Sequence, residues 1–190
     1  NQAKNKDKQL SIPYSLLIRL LLKYPELCPV KGPMSMIGFC DYMQKHTAEP
    51  LGDSASIMLG QQKTWYYKAI KGGTLNPTSS HLARMYMAII ENGGGLDPLR
   101  KLVEFEGLSR GMTSREVWTG GTWARNFPGK HPKYHVPADV SQAITSSSIK
   151  RLKERGINGQ QSTYSDLAYL FGVTQFRMTQ LSSQYPLPLQ

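Results

Sequence analysis

The stretch from Asp166 to Leu181 constrains the fold of this chain more than any other. It reads DLAYLFGVTQFRMTQL, and its apolar residues recur at helical spacing on both sides of Gly172. Because glycine adopts a left-handed backbone conformation at low cost, Gly172 predicts a sharp turn between two short helices. Thr174 can cap the second helix by accepting a hydrogen bond from a backbone N–H group.

The side chains of this stretch divide into an inward and an outward set. The inward set places the small Ala168 where the helices cross, Phe171 before the turn, and Met178 and Leu181 after it. This pattern resembles a helix-turn-helix, a unit that places its second helix in the major groove of DNA. Amide and guanidinium groups read base edges through paired hydrogen bonds. The resemblance implies that the DNA-facing residues are Thr174, Gln175, Phe176, Arg177, Thr179 and Gln180. The alternative is an ordinary helical hairpin whose outward face is merely solvated.

The charge of the chain favours an anionic partner. Its 190 residues include 23 Lys and Arg against 13 Asp and Glu, a formal net charge of +10. Nucleic acid is the commonest partner of so basic a protein, although a generally basic soluble protein is the alternative. The length suffices for one large domain or two small ones.

Several kinds of site find no support in the sequence. Cys28 and Cys40, taken with His46, lack the spacing of a zinc site, and we expect reduced thiols in the cytoplasm. His131 and His135 are separated by a proline, which argues against a shared metal on a helix. No apolar run reaches membrane-spanning length, so we predict neither a membrane nor a metal, cofactor or small-molecule partner.

The chain begins with two segments outside the main predicted domains. Residues 1–9 alternate lysines with small polar residues and predict a disordered basic tail. Residues 10–33 predict an apolar helix that begins near Ser11, ends at Pro25 and leads into a linker. Its leucine-rich face at residues 16–22 is expected to pack on the next domain or on a second subunit.

Residues 34–107 predict a domain of five helices. Helical periodicity with glycine and proline stops places them at about Ser35–His46, Asp53–Leu59, Gln62–Lys71, Ser79–Ile90 and Asp97–Glu106.

This layout resembles the DNA-binding domain of the lambda-repressor and Cro superfamily. The residues that carry the resemblance are ASIMLGQQKTWYYKAIKGG, followed by Asn-Pro at 76–77, with Leu59, Gly60 and Tyr66 at core and turn positions. Ser56 and Gln61 depart from the family pattern, where alanine and an apolar residue are usual. The resemblance implies a DNA-facing set of Gln62, Lys63, Thr64, Tyr67, Lys68 and Lys71.

Helical geometry supports the same face independently of the family. Lys63, Tyr67 and Lys71 are spaced by four residues, so on a helix they share one side. Lysines there would contact phosphates, while Gln62 and Thr64 would reach bases. A solvated lysine face is the alternative, and the WYY run at 65–67 could instead stack unpaired bases.

The remaining chain predicts a connector and a second helical domain. Residues 108–137 are assigned as an irregular connector that could include a short hairpin, and Met112–Trp123 within it has mixed β character. Residues 138–190 form the predicted C-terminal domain, which begins with a helix running from near Pro137 or Ala138 to Arg155. Ser162 or Thr163 is expected to cap the helix that enters the 166–181 stretch.

The sequence therefore predicts a mainly α fold and a sequence-specific double-stranded DNA-binding protein. With no nucleophile or phosphate-loop motif in view, we expect a transcriptional regulator, not an enzyme, that uses both helix-turn-helix units and binds as a homodimer. One alternative is an architectural or DNA-processing factor at an origin or transfer origin of a mobile genetic element. A further alternative is a protein-interaction module with no affinity for duplex DNA.

Overall fold

A computed structural model describes residues 10–27, 32–121, 123 and 144–182. The fold is mainly α, as predicted, and these ranges contain no β-strand beyond two isolated bridges. The predicted basic tail, residues 124–137 of the connector and the last eight residues lie outside the described residues. The helices are α1 (Ile12–Lys23), α2 (Met36–Thr47), α3 (Ser54–Met58), α4 (Trp65–Ala69), α5 (Pro77–Glu91), α6 (Leu96–Ser109), α7 (Ser114–Thr119), α8 (Ser146–Arg155), α9 (Tyr164–Phe171) and α10 (Gln175–Ser182).

Helix α1 forms the centre of the core. Pro13 lies in its first turn, where the missing N–H group costs no helical hydrogen bond. The helix packs against α5, α6 and α8. Its fully buried apolar side chains are Leu16, Leu17, Ile18, Leu20 and Leu21. This confirms the packing of α1 within the chain, and the proposal that its leucine face offers a dimer interface is wrong.

Helices α2 and α5 are fixed by side-chain caps at their first residues. Ser35 Oγ accepts a hydrogen bond from Gly38 N, and Asn76 Oδ1 accepts one from Ser79 N. Helix α5 begins two residues before the predicted start at Ser79, because Asn76 caps it and Pro77 opens it. The Tyr86 hydroxyl of α5, fully buried, donates to Met58 O and so ties α5 to α3.

The β character predicted at Met112–Trp123 is wrong, because Ser114–Thr119 within that segment form helix α7. Thr113 Oγ1 accepts a hydrogen bond from Glu116 N, and the Glu116 carboxylate accepts one from Thr113 N. This reciprocal pair is a capping box, which satisfies two N–H groups at the helix start. The capping residues favour a helix where the β-branched and aromatic content of the segment favoured a strand.

Helix α8 begins at Ser146, with Thr145 as its N-cap residue, and ends at Arg155, where the predicted helix also ends. The start predicted near Pro137 or Ala138 lies outside the described residues. Two backbone hydrogen bonds join this region to the start of the chain, from Leu10 N to Ile144 O at 2.9 Å and from Asn158 N to Pro25 O at 2.6 Å.

One apolar cluster joins the N-terminal and C-terminal helices. It extends from Leu10 to Met178 and includes buried residues of α9 such as Leu167 and Phe171. The division of the chain at residues 107 and 138 stays a prediction. Whatever that division is, the C-terminal helices pack on α1 and α5.

A buried network of ion pairs links α1 and α6 within this core. Glu106 of α6, whose side chain has no exposed surface, accepts hydrogen bonds at 2.7 Å from Arg19 Nε of α1 and from Arg110 Nε. Arg110 Nη2 also donates to Leu10 O at 2.8 Å. A buried carboxylate is tolerated only when it is paired and hydrogen-bonded, and here two guanidinium groups supply both conditions.

Candidate nucleic-acid interface

Helices α9 and α10 and the turn between them are called here the C-terminal hairpin. Thr163 and Asp166 form a capping box at the start of α9, with Thr163 N donating to Asp166 Oδ2 at 2.8 Å. Thr174 Oγ1 accepts a hydrogen bond from Arg177 N at 3.1 Å. The predicted capping roles of Thr163 and Thr174 are thus confirmed, and both helices are held at their N-terminal ends.

The turn of the C-terminal hairpin is built as predicted around a left-handed glycine. Gly172 has a φ angle of 61°. Gly172 N donates to Tyr169 O and Val173 N donates to Ala168 O, which is the pairing of a Schellman motif. This motif satisfies carbonyls that the end of α9 would otherwise leave without a partner.

The inward face of the hairpin is apolar and closed by a third helix. Leu167, Phe171 and Met178 are buried, and Leu181 is half-buried. Helix α10 packs against both α9 and α8. The result is a compact group of three helices in which α10 presents one face to the protein.

The opposite face of α10 carries the six residues proposed from the sequence. Five of them are exposed, and Gln180 is half-buried. The ring of Phe176 is the most exposed large apolar side chain among the described residues, at 68%. Arg177 Nη1 donates to Gln180 Oε1 at 3.2 Å, which holds the guanidinium along the same face. The exposed members are Thr174, Gln175, Phe176, Arg177 and Thr179.

Helix α8, which packs against α10, carries several positively charged side chains. Lys153 places its ammonium 4.7 Å from the centre of the Tyr164 ring, a cation–π contact that joins α8 to α9. Arg155 Nη1 donates to Leu22 O at 2.6 Å, which joins α8 to α1. Lys150 is half-buried and Arg151 is exposed. The cations of α8 therefore divide between structural contacts and free surface.

Helices α3 and α4 and the turn between them are called the N-terminal hairpin. Gly60 has a φ angle of 70°. Its turn has the same pair of hydrogen bonds as the turn at Gly172, here from Gly60 N to Ile57 O and from Gln61 N to Ser56 O. The family pattern places an alanine at Ser56, and the Ser56 hydroxyl is buried without a hydrogen-bond partner in the described part of the chain.

The helix predicted at Gln62–Lys71 is much shorter in the structure. Only Trp65–Ala69 is α-helical, and the residues before it form tight turns with hydrogen bonds from Trp65 N to Gln62 O and from Tyr66 N to Lys63 O. Aromatic residues at 65–67 and glycines at 72 and 73 disfavour a longer helix. The prediction that Lys63, Tyr67 and Lys71 share one helical face is therefore wrong.

The proposed residues of this segment lie mostly at the surface. Lys63 is the exception, since it is half-buried and its ammonium lies 3.4 Å from Asp53 Oδ2. Tyr67 has 60% of its surface exposed. Trp65 and Tyr66 are half-buried against the core, as expected, and burial raises the pKa of the Tyr66 phenol. The exposed members of the set are Gln62, Thr64, Tyr67, Lys68 and Lys71.

The sequence reasoning missed the contacts that hold the start of this segment. Lys63 N donates to Gly121 O at 3.0 Å, and Trp123 Nε1 donates to Gln61 O at 3.2 Å. Gly121 and Trp123 both lie in the segment after α7, and α7 itself packs against α3. The Thr-x-x-Glu pattern at 113–116 would have indicated a helix here, but nothing in the sequence indicates where that helix packs.

The glycines of the two hairpin turns lie against another helix, unlike the glycines that follow α5 and α6. A Cβ on Gly60 would lie 2.8 Å from Pro13 N, and one on Gly172 would overlap the Pro77 side chain. Gly93 and Gly111 end helices with the same hydrogen bonds, yet neither has an atom within 4 Å of such a Cβ. Each hairpin turn therefore packs on the first turn of a core helix, α1 or α5.

Side chains of α5 also bind the end of α9. Thr78 Oγ1 donates to Phe171 O at 2.6 Å, and His81 Nδ1 lies 2.7 Å from Leu170 O. A carbonyl oxygen can only accept, so His81 carries a proton on Nδ1. These bonds satisfy the last carbonyls of α9 and fix the C-terminal hairpin on α5.

Other groups of the described residues offer no second candidate site. Burial, and then the charge of Asp41, raise the pKa of the Cys40 thiol to about 11, so this thiol stays protonated at neutral pH. The structure brings together no group of three His, Cys, Asp or Glu that could hold a metal ion, and His131 and His135 lie outside the residues it describes. None of the helices it describes is long and apolar enough to cross a membrane.

Comparison with known proteins adds no relative to this description. No family model matches the chain, and no curated protein or solved structure is significantly similar to it.

Proposed function

We propose that the protein binds double-stranded DNA in a sequence-specific manner and regulates transcription by occupying its site. The observation that supports this most directly is the outward face of α10, where Gln175, Arg177 and Thr179 are exposed on a helix whose other face is buried. Helix α10 would enter the major groove, and its N-terminal residues would contact base edges.

The chemistry of this face suits base recognition. An amide can pair with adenine and a guanidinium with guanine, each through two hydrogen bonds. The exposed ring of Phe176 can contact the methyl group of thymine. Apolar surface on an otherwise polar helix is costly in water, so its contact with a partner contributes to binding.

Affinity would come from the positive charge of the chain. The net charge of +10 attracts the phosphate backbone, and binding would release counterions from the DNA. Exposed cations are present at Arg151 of α8, which packs against α10, and at Arg177 of α10 itself. We therefore expect affinity to fall steeply as salt is added.

The experiment is a selection of binding sites from random duplex DNA by the full chain near physiological salt. We expect enrichment of a defined motif. Gln175→Ala should relax preference at one or two positions of that motif, each worth roughly 1–3 kcal/mol of discrimination. Gln44→Ala, which removes an exposed glutamine from α2, is the matched control and should leave the motif unchanged.

Two results would contradict the proposal. Binding without any enriched motif would favour an architectural role, and absence of binding at low salt would favour a module that binds protein. An enriched motif that Gln175→Ala does not alter would exclude α10 as the reading helix.

A further inference from the structure

The turns of the two hairpins border the same groove. A groove of about 370 Å³ is lined by the starts of α1 and α5, by Gln61 of the N-terminal hairpin and by Gly172 of the C-terminal hairpin. A second groove, of about 590 Å³, has Gly172 and Val173 on one wall and Thr74 and Leu75 on another. Gln61 before the segment 62–71 and Thr74 after it therefore line grooves that Gly172 also lines.

Direct contacts fix this arrangement. The turn at Gly60 packs on α1, the turn at Gly172 packs on α5, and α1 packs against α5. Tyr14 of α1 also makes an edge-to-face contact with Phe171, at 5.3 Å between ring centres. Among the described residues the two turns are joined through packed helices, so their spacing is set by the core.

The two elements differ in what they can present to DNA. Helix α10 has eight residues and a polar outward face with two amides. Helix α4 has five residues, too few to enter a groove as a reading helix, but Lys68 and Lys71 are exposed in and after it. Lysine binds phosphate as a compact point charge and needs no paired geometry to do so.

We propose, on the basis of the DNA-binding function above, that the segment 62–71 holds the phosphate backbone beside the groove that α10 reads. The protein then recognises one uninterrupted duplex site and not two separable ones. An α-helix of eight residues is about 12 Å long, and one turn of duplex DNA spans about 34 Å. Because the turns that precede α4 and α10 border one groove, we expect both elements to meet the same turn of duplex.

The test uses the full chain carrying Lys68→Ala and Lys71→Ala together. Loss of two phosphate contacts should lower the salt slope of binding by about 1.8 and the affinity at physiological salt by roughly 10- to 30-fold, equally for all sequences. The selected motif should stay the same in this variant and in Gln62→Ala. Lys45→Ala with Lys101→Ala, which removes two exposed lysines from α2 and α6, is the matched control.

A second measurement locates the segment on the DNA. A cleavage reagent attached to the thiol of a Lys68→Cys variant, in a chain that also carries Cys28→Ser and Cys40→Ser, should cut within about one helical turn of the motif that α10 reads. Cutting at two places separated by more than a turn would overturn the inference.

The outcomes separate this inference from the proposed function. A wild-type chain that selects no motif would overturn both. A retained motif with an unchanged salt slope in the lysine variant would overturn only the phosphate contact. A motif altered by Gln62→Ala would show that the segment reads bases, and would overturn the division of roles.

Discussion

Gly172 is the residue on which the position of α10 depends most directly. Its φ of 61° is one that other residues adopt only with strain, and its α-carbon lies against Pro77. The turn could not be made by another residue without moving α9 away from α5. Gly60 has the same role against Pro13 in the N-terminal hairpin.

We expect Gly172→Ala to destabilise the protein more than Gly111→Ala. Both glycines have a left-handed backbone, so each alanine costs about 1–2 kcal/mol, but only the first also overlaps a neighbouring side chain. Overpacking adds typically 1–3 kcal/mol. Urea unfolding of the two variants measures the difference, and equal losses would contradict the contact with Pro77.

Substitution of Ser56 should raise the stability of the protein, whereas substitution of Gly172 should lower it. Its hydroxyl is buried without a hydrogen-bond partner in the described part of the chain, which costs free energy in the folded state. Ser56→Ala should therefore raise stability, by about 1 kcal/mol. Ser80→Ala is the matched control, because the buried Ser80 hydroxyl donates to Leu75 O at 3.1 Å. The control should lose stability, and a loss in Ser56→Ala would show that its hydroxyl has a partner.

At the scale of elements, side-chain caps help to explain why the short helices α7, α9 and α10 persist. Helices of six to eight residues are marginal in isolation, because nucleation is costly. Thr113, Thr163 and Thr174 each accept a hydrogen bond from a backbone N–H three residues on. The short helices also bury apolar side chains on one central helix or its neighbours, and that packing supplies most of their stability.

Truncation of a buried leucine in α1 should destabilise the protein without changing its oligomeric state. Leu17 is fully buried, so Leu17→Ala should cost about 2–5 kcal/mol of unfolding free energy. Leu22→Ala, at a half-buried position of the same helix, should cost less. Sedimentation of both folded variants should give the same oligomeric state as the wild-type chain. A change of that state in the Leu17 variant alone would contradict the assignment of this face to the chain's own core.

At the scale of the whole molecule, buried polar contacts join regions that are distant in sequence. The pairing of Glu106 with Arg19 links α6 to α1, and the hydrogen bond from Arg110 to Leu10 extends that link to the first described residue. The bond from Thr78 to Phe171 joins α5 to α9 in the same way. The last of these bonds fixes α9, the helix that precedes α10, on the core.

We expect Glu106→Gln to destabilise the whole fold. The substitution leaves two guanidinium groups without their buried carboxylate, which typically costs 3–5 kcal/mol. Glu49→Gln removes a more exposed partner of Arg100 and should cost no more than about 1 kcal/mol. Thermal unfolding compares the two, and a loss as small in Glu106→Gln as in the control would contradict the role of the buried pair.

The sequence alone determined the features that depend on neighbouring residues. Helical periodicity gave the mainly α fold, and Gly172, Thr163 and Thr174 gave the turn and caps of the C-terminal hairpin, because these signals act within a few residues of each other. The same local reasoning identified the polar outward face of α10. It failed at residues 62–71 and 112–123, where aromatic and β-branched content competed with turns and a capping box.

Only the tertiary structure decided how these elements combine. The sequence could not show that the apolar residues at 16–18, 20 and 21 of α1 are fully buried, nor that the turns at Gly60 and Gly172 border one groove. Both facts depend on packing between residues more than fifty positions apart. Long-range contacts are selected by the shape and burial of the whole core. Local patterns therefore specify the pieces of this protein, and the packing around α1 and α5 specifies the surface they share.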